Sequence, residues 1–256
     1  MDIPSKPHQK VIFFDCYQTL VDIDINQEYK HKENNQIKAW EYVAKSLEEY
    51  GVRVGGAELI EFNKKRRANF YAGKDKKVYH HNAGDILAQV LKDDLGVELP
   101  EEKVCSLLFE YHKIARGYAN LYPGVVETLT RLAEKYTIAI ASYTQGCYTQ
   151  SELKELGIDK FFSYFVYSSN IGFRKTSPRF YERCLEIVGK KAEDCIMIGD
   201  NYDADVLVPQ QLGMRAIWVK NPLTADQYTH LSNQEPKNMI DLEEFIKLPE
   251  MIDKIW

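Results

Sequence analysis

Residues Lys10 to Asp22 read KVIFFDCYQTLVD, a β-branched and aromatic run that ends on Asp15 and turns through Thr19-Leu20. A run without polar alternation belongs to a strand covered on both faces, as in a parallel sheet. Its terminal acid therefore falls at the sheet edge where open α/β sheets hold their ligands. A carboxylate there can serve as a nucleophile or a metal ligand. The stretch Cys195–Gly199, CIMIG, ends in the same way on Asp200. Two strands thus deliver acids to one edge.

Outward from these strands, helix and strand alternate. Tyr122-Pro123-Gly124 opens a helix over Val125–Tyr136, followed by a strand at Thr137–Ala141. A helix covering Ser151–Leu156 precedes a strand at Tyr164–Tyr167. Pro178–Val188 reads as a helix, Asp205–Leu212 as another, and Arg215–Val219 as a strand. Asp241–Ile255 has a weaker amphipathic pattern. Such alternation implies parallel strands joined by right-handed crossovers, a doubly wound, Rossmann-like α/β sheet. From about Asn26 to Tyr118 the period is helical and no strand is expected. Gln36–Tyr50 places Ile37, Trp40, Val43, Ala44 and Leu47 on one face, and Asp85–Leu95 and Glu101–Tyr118 repeat the pattern. The expected organisation is an α/β core of residues 1–21 and 119–256 with a helical domain of residues 22–118 inserted into it.

The 256 residues carry a net charge of -5 and a hydrophobic fraction of 45%. That balance steers the chain towards neither nucleic acid nor an anionic membrane surface. The apolar runs are strand-length, far short of the roughly 20 residues of a membrane span. Met1–Lys6 has no apolar segment of the kind a signal peptide needs. The 5 cysteines lack paired spacing, which fits reduced thiols and a cytoplasmic setting. A monomer or homodimer is expected, with no nucleic-acid or membrane partner.

The polar residues at strand ends form one candidate site: Asp15 and Thr19, Ser142 after the second strand, Lys175 in a loop, and Asp200 with Asp205. Each alone is more often structural than functional; convergence of all of them gives the functional reading its weight. Two carboxylates suit Mg²⁺, which takes oxygen ligands, keeps waters and bridges to phosphate. Asp203 reads as a surface acid and Cys16 as a packed core thiol.

In order along the chain, these motifs resemble those of the haloacid dehalogenase-like hydrolases with a helical cap after the first motif. Asp15 with Thr19-Leu20 is similar to motif one, and Ser142 after Ile138–Ala141 to motif two. Gly172-Phe173-Arg174-Lys175 with Pro178 and Phe180 is similar to motif three, and Gly199-Asp200-Asn201 with Asp205 and Leu212-Gly213-Met214 to motif four. Leu121–Gly124 resembles the family's return from the cap. The resemblance implies that Asp15 attacks phosphorus in a small phosphorylated metabolite and forms an aspartyl-phosphate. It also implies Mg²⁺ held by Asp15, Asp200, Asp205 and the Tyr17 backbone carbonyl, with Asn201 able to assist as Asp205 does. Thr19, Ser142, Tyr143 and Lys175 would bind the substrate, Ser142 by a hydrogen bond and Lys175 by offsetting charge.

Four positions depart from the family pattern. Tyr17 stands where phosphatases usually carry a second aspartate, whose acid–base help is worth about two to four orders of magnitude. As a catalytic candidate in its place, Tyr17 could donate a proton but is a poor base at neutral pH. Gln18 replaces the usual glycine, Tyr143 the common asparagine, and Thr176-Ser177 separates Lys175 from Pro178. Tyrosine in that first position resembles metal-independent 2-haloacid dehalogenases, which form the alternative reading; a weakly active phosphometabolite-binding relative is a third. A second carboxylate would repel a dehalogenase's anionic substrate, so the phosphatase reading is preferred. The basic run Lys64-Lys65-Arg66-Arg67, with Lys74, Lys76 and Lys77, reads as a solvated helix face. A functional version of it would close one or two cations over an anionic substrate, together with His80 or His81. Tyr118, Tyr122 and Phe173 are candidates to line the cleft.

Overall fold

The structure, a computed structural model, describes residues 10–24, 29–225 and 236–256. The readings placed at Met1–Lys6 and at Asn26 lie outside the described residues. Strand β1 (Val11–Phe14) leads through a tight turn into β2 (Val21–Ile23). Four helices follow: α1 (Tyr29–Ser46), α2 (Gly56–Tyr71), α3 (Ala83–Gln89) and α4 (Glu101–Arg116). The chain returns through β3 (Ala119–Leu121), α5 (Val125–Ala133), β4 (Thr137–Ser142), α6 (Gly146–Glu155) and β5 (Tyr164–Tyr167). It continues with α7 (Ser168–Ile171), α8 (Pro178–Val188), β6 (Cys195–Gly199), α9 (Val208–Gln211) and β7 (Arg215–Lys220). Strand β8 (Met239–Asp241) and helix α10 (Leu248–Ile255) complete it.

Six strands form one parallel sheet in the order β5-β4-β1-β6-β7-β8. Strand β1 sits in the middle, and the chain winds outward on either side of it. Its carboxyl end is the switch point where such sheets open a crevice. Alternation along the strands feeds two cores, because successive side chains face opposite sides of a sheet. Ile12, Phe14, Ile140 and Ile198 pack with Leu129, Phe245 and Ile252 on one face. Val11, Phe13, Ala139 and Met197 pack with Phe180, Tyr181 and Val188 on the other. The Rossmann-like expectation is met.

Helices α1–α4 share their own apolar cluster, with Val43, Leu47, Leu59, Leu87, Leu91 and Leu108 buried in it. Trp40 and Tyr111 join α1 to α4 at 4.6 Å between ring centroids. Ile37 is a correction to the expected helix face: it is 44% exposed and borders a cavity instead of packing inside. Strands β2 and β3, absent from the sequence reading, pair as an antiparallel ribbon. The ribbon is where the chain leaves the sheet and returns. Strand β8 was also unexpected; three residues give too short a pattern to register. No helix among the described residues is long and apolar enough to cross a membrane.

Candidate active site

The site begins where β1 stops. The Asp15 N–H donates to the Ile198 carbonyl at 2.9 Å, which seats this residue beside the end of β6. The chain then reverses: the Cys16 carbonyl accepts from the N–H groups of Leu20 and Val21. Reversal places Gln18 at φ +62°, the left-handed region that a side chain enters at a cost of about 1 kcal/mol. Glutamine is held there by its own contacts. Its carbonyl accepts from the Asn221 amide at 2.8 Å, its side-chain oxygen from the Tyr122 hydroxyl at 2.7 Å, and its amide donates to the Ile23 carbonyl. Thr19 is fully buried, and its hydroxyl donates to Asp200 Oδ1 and accepts the Asp200 N–H. It therefore positions Asp200 and lies behind the cavity wall.

Strand β6 supplies the second acid. Gly199 is required there because a methyl group in its place would overlap the Asp205 carboxylate. A π-helical turn at Tyr202–Leu207 brings Asp205 back under the strand, where Asp205 Oδ2 accepts the Asn201 N–H at 3.1 Å. The Asn201 side chain caps the same turn by accepting from the Ala204 N–H. Lys175 is 3% exposed and reaches both Asp15, at 2.9 Å, and Asp205. Asp203 is exposed, and Cys16 is buried in the core beside Leu20, as expected of each.

These groups face a cavity of about 340 Å³ lined by Asp15, Ser142, Tyr143, Arg174, Lys175 and Asp200 among others. That size suits a small ligand. Ser142 is buried at the end of β4, and Tyr143, next to it, is 43% exposed. Tyr17 points elsewhere. Its hydroxyl donates to Glu152 of α6 at 2.5 Å, and Thr149 and His112 of α4 lie at 3.4 and 3.2 Å. Burial, then the neighbouring Cys16 and Glu152, raise that hydroxyl's pKa far above its ordinary value, so it is no base.

Three carboxylates against one ammonium leave the site short of positive charge. Asp15, Asp200 and Asp205 each place one oxygen within 4.8 Å of the others. Burial, followed by repulsion from Asp15 and Asp205, pushes Asp200 up to about 7. Asp205 rises to about 6, chiefly through burial, although Lys175 opposes the rise. Burial alone would weaken the Lys175 ammonium, but Asp15 and Asp205 overcome it and hold its proton firmly. Clustered, buried, all-oxygen donors with raised proton affinity are what a hard divalent cation would relieve. The residues fit such an ion.

The residues read as a closing cap fall into place unevenly. Lys64 pairs with Glu61, and Arg66 with Asp93 and Asp94. His80 is buried, hydrogen-bonded to Ser168 and Gln145, and lowered to about 3 by burial first. His81 is lowered to about 4 for the same reason. Both imidazoles are therefore held neutral at neutral pH. Tyr118, Tyr122 and Phe173 do not line the cavity; they bond to Asp22, bond to Gln18, and pack on Tyr79 respectively. Arg174 and the Glu152–Arg116–His112 group were missed. Arg174 was legible as a second cation beside Lys175. The other group joins residues far apart in sequence and left no local signal.

With this geometry in place, the relatives are informative. The chain is 28% identical over 216 residues to a glyceraldehyde 3-phosphate phosphatase of Pyrococcus furiosus, covering 82% of this chain and 80% of that protein. It is 26% identical over 140 residues to a phosphoglycolate phosphatase of Aliivibrio fischeri, covering 52% of this chain and 61% of that one. Among solved structures, a 2-haloacid dehalogenase from Pseudomonas syringae superposes with a TM-score of 0.62 at 20% identity, covering 97% of this chain and all of that one. The profile of the haloacid dehalogenase-like hydrolases matches residues 9–213, and the chain belongs to that family of hydrolases.

Proposed function

We propose that the chain is a Mg²⁺-dependent phosphatase of a small phosphorylated metabolite, working through an aspartyl-phosphate on Asp15. One observation carries this: Asp15, Asp200 and Asp205 converge on the head of a metabolite-sized cavity with a single lysine among them. The phosphatase relatives support the same reading. Residues 22–118 would act as a cap over the core of residues 1–21 and 119–256.

In the first step an Asp15 oxygen attacks phosphorus, and the bond from phosphorus to the leaving oxygen breaks. Lys175, fixed between Asp15 and Asp205, orients the nucleophile and offsets charge on the phosphoryl oxygens. Ser142 supplies a hydrogen-bond donor from the end of β4. Mg²⁺ held by Asp15, Asp200, Asp205 and the Tyr17 carbonyl, some through water, would supply Lewis-acid charge compensation. Because the Tyr17 hydroxyl is directed at Glu152, the leaving oxygen departs without its proton. Substrates with acidic leaving groups are therefore favoured. In the second step water attacks phosphorus, releases phosphate and restores Asp15. Thr19 acts only by holding Asp200.

The test is phosphate release from a mixed phosphomonoester panel, beside halide release from 2-chloropropionate, each with Mg²⁺ and with EDTA. Phosphate release that requires Mg²⁺ is expected. Halide release in EDTA would replace this reading with the dehalogenase suggested by Tyr17. Silence in both would leave a binding role.

A further inference from the structure

Lys175 is already held by two carboxylates, so it is not the cation with spare capacity. Arg174 is. Its backbone is fixed on both sides, by its N–H to the Val78 carbonyl at 2.8 Å and by its carbonyl to the Ser177 N–H at 2.9 Å. Its guanidinium lies over the Tyr143 ring, 4.9 Å from the centroid, at the wall of the Asp15 cavity. Stacking of this kind orients the plane but satisfies no N–H. The buried Nε has no hydrogen-bond partner, and no carboxylate among the described residues pairs with the group. An unpaired, buried guanidinium donor is costly unless something arrives to accept from it.

A second arginine faces the same region. Tyr143 lies 4.4 Å from His80 between ring centroids, and His80 lies 5.4 Å from His81. His81 and Arg67 of α2 line a second cavity of about 700 Å³. Arg67 is exposed and, among the described residues, has no ion-pair partner, whereas its neighbours Lys64 and Arg66 are paired. After burial, the charges of Arg174 and Arg67 both help keep the two imidazoles neutral. Positive charge thus collects beyond the phosphoryl position at Arg174, while the cavity on the Arg67 side also holds Glu33, Glu41 and Glu61.

We propose that Arg174, seated on Tyr143, with Arg67 facing it across the two imidazoles, is a second-anion subsite. The substrate then carries, besides the phosphoryl group that Asp15 attacks, a carboxylate or a second phosphate. Guanidinium presents two parallel N–H groups that match either anion. This rests on the phosphatase reading above and narrows its substrate class.

The test is calorimetric binding of three non-hydrolysable probes at fixed free Mg²⁺: methylphosphonate, phosphonoacetate and methylenediphosphonate. At least one two-anion probe should bind about tenfold or more tighter than methylphosphonate, the size of one charge-assisted contact. Whichever gains more identifies the second anion as carboxylate or phosphate. Arg174→Gln should bring that probe to within about threefold of methylphosphonate, while methylphosphonate itself keeps its affinity. Arg67→Gln, at an exposed position, should lose a smaller part and guards against misfolding of the first variant. Equal binding of all three probes by the unaltered protein would overturn the proposal. So would an Arg174→Gln variant that weakens methylphosphonate as much, since that places Arg174 on the transferred phosphoryl group. Two-anion preference without any phosphate release would overturn the phosphatase reading alone; phosphate release without that preference would overturn the subsite alone.

Discussion

Two buried polar clusters lie on either side of the turn that follows β1, and they are built to opposite rules. On one side Glu152 is surrounded by donors: an ion pair to Arg116, His112 at 3.3 Å and the Tyr17 hydroxyl at 2.5 Å. Although burial opposes ionisation, His112, Tyr17 and Arg116 overcome it and lower the Glu152 pKa. On the other side three carboxylates share Lys175, and two of them are raised instead. The balanced cluster needs nothing more and ties α4 to α6 beneath the active-site turn. The unbalanced one has the donor set that the proposed cation would complete. Buried acids in one molecule thus divide into a fastening and a site by the sign of what surrounds them.

The largest expected break is chemical. Asp15→Asn should lower phosphate release by at least about a thousandfold while leaving the melting temperature within a few degrees, because the proposed function makes Asp15 the nucleophile and the change removes no packing. Thermal melts of the same protein check the second half. The balanced cluster should respond in the opposite way. Glu152→Ala leaves Arg116 and His112 buried without their acid and should cost about 3–5 kcal/mol of stability by denaturant unfolding. A cost below about 1 kcal/mol would show that the ion pair is not load-carrying.

Acidity separates the clusters further. Asp200 and Asp205 have folded-state pKa values above the ordinary 3.8, at about 7 and 6. Between those limits the folded protein binds more protons than the unfolded chain, so the metal-free protein loses stability as pH rises from about 4 to 7. His80 works in the other direction, since its folded value is lowered to about 3 and it destabilises the fold as pH falls below 6.5. Comparing the unaltered protein with Asp200→Asn isolates the acid. Without metal, Asp200→Asn should be the more stable of the two at pH 8, with the difference shrinking towards pH 5. A difference that grew on acidification would contradict the charge excess.

The smallest expected effect lies at the join. Tyr17→Phe removes one donor from Glu152 and should cost about 1–2 kcal/mol of stability. Phosphate release should stay within about threefold, because that hydroxyl faces away from the cavity. Tyr17→Asp restores a carboxylic acid at the same position and should raise turnover by about tenfold. A loss of activity in Tyr17→Phe would return the hydroxyl to the chemistry.

The sheet was legible because β1, β4 and β6 are apolar on both faces and each ends on a polar residue, a pattern that both locates the strand and points to the edge. Asp15, Ser142 and Asp200 were readable for the same reason, Lys175 and Asp205 through the motif resemblance, and the fold brings them together. What the chain did not disclose depends on contacts distant in sequence. Tyr17 and Glu152 are separated by 135 positions, so nothing local says that the Tyr17 hydroxyl is taken. Thr19 reads as a substrate contact until its hydroxyl is seen engaged with Asp200. The ribbon of β2 and β3 spans too few residues for periodicity to register, and Gln18 gave no sign of the left-handed backbone that the turn requires. The two histidines read as candidates to meet an anionic substrate because composition does not report that His80 is buried.

The most direct test of the contrast is Mg²⁺ binding, followed as the rise in melting temperature at pH 8 for the unaltered protein, Asp200→Asn and Tyr17→Phe. Saturating Mg²⁺ should stabilise the unaltered protein and Tyr17→Phe alike, with little effect on Asp200→Asn. Equal stabilisation of all three, or none in the unaltered protein, would mean that the acid cluster is not a cation site.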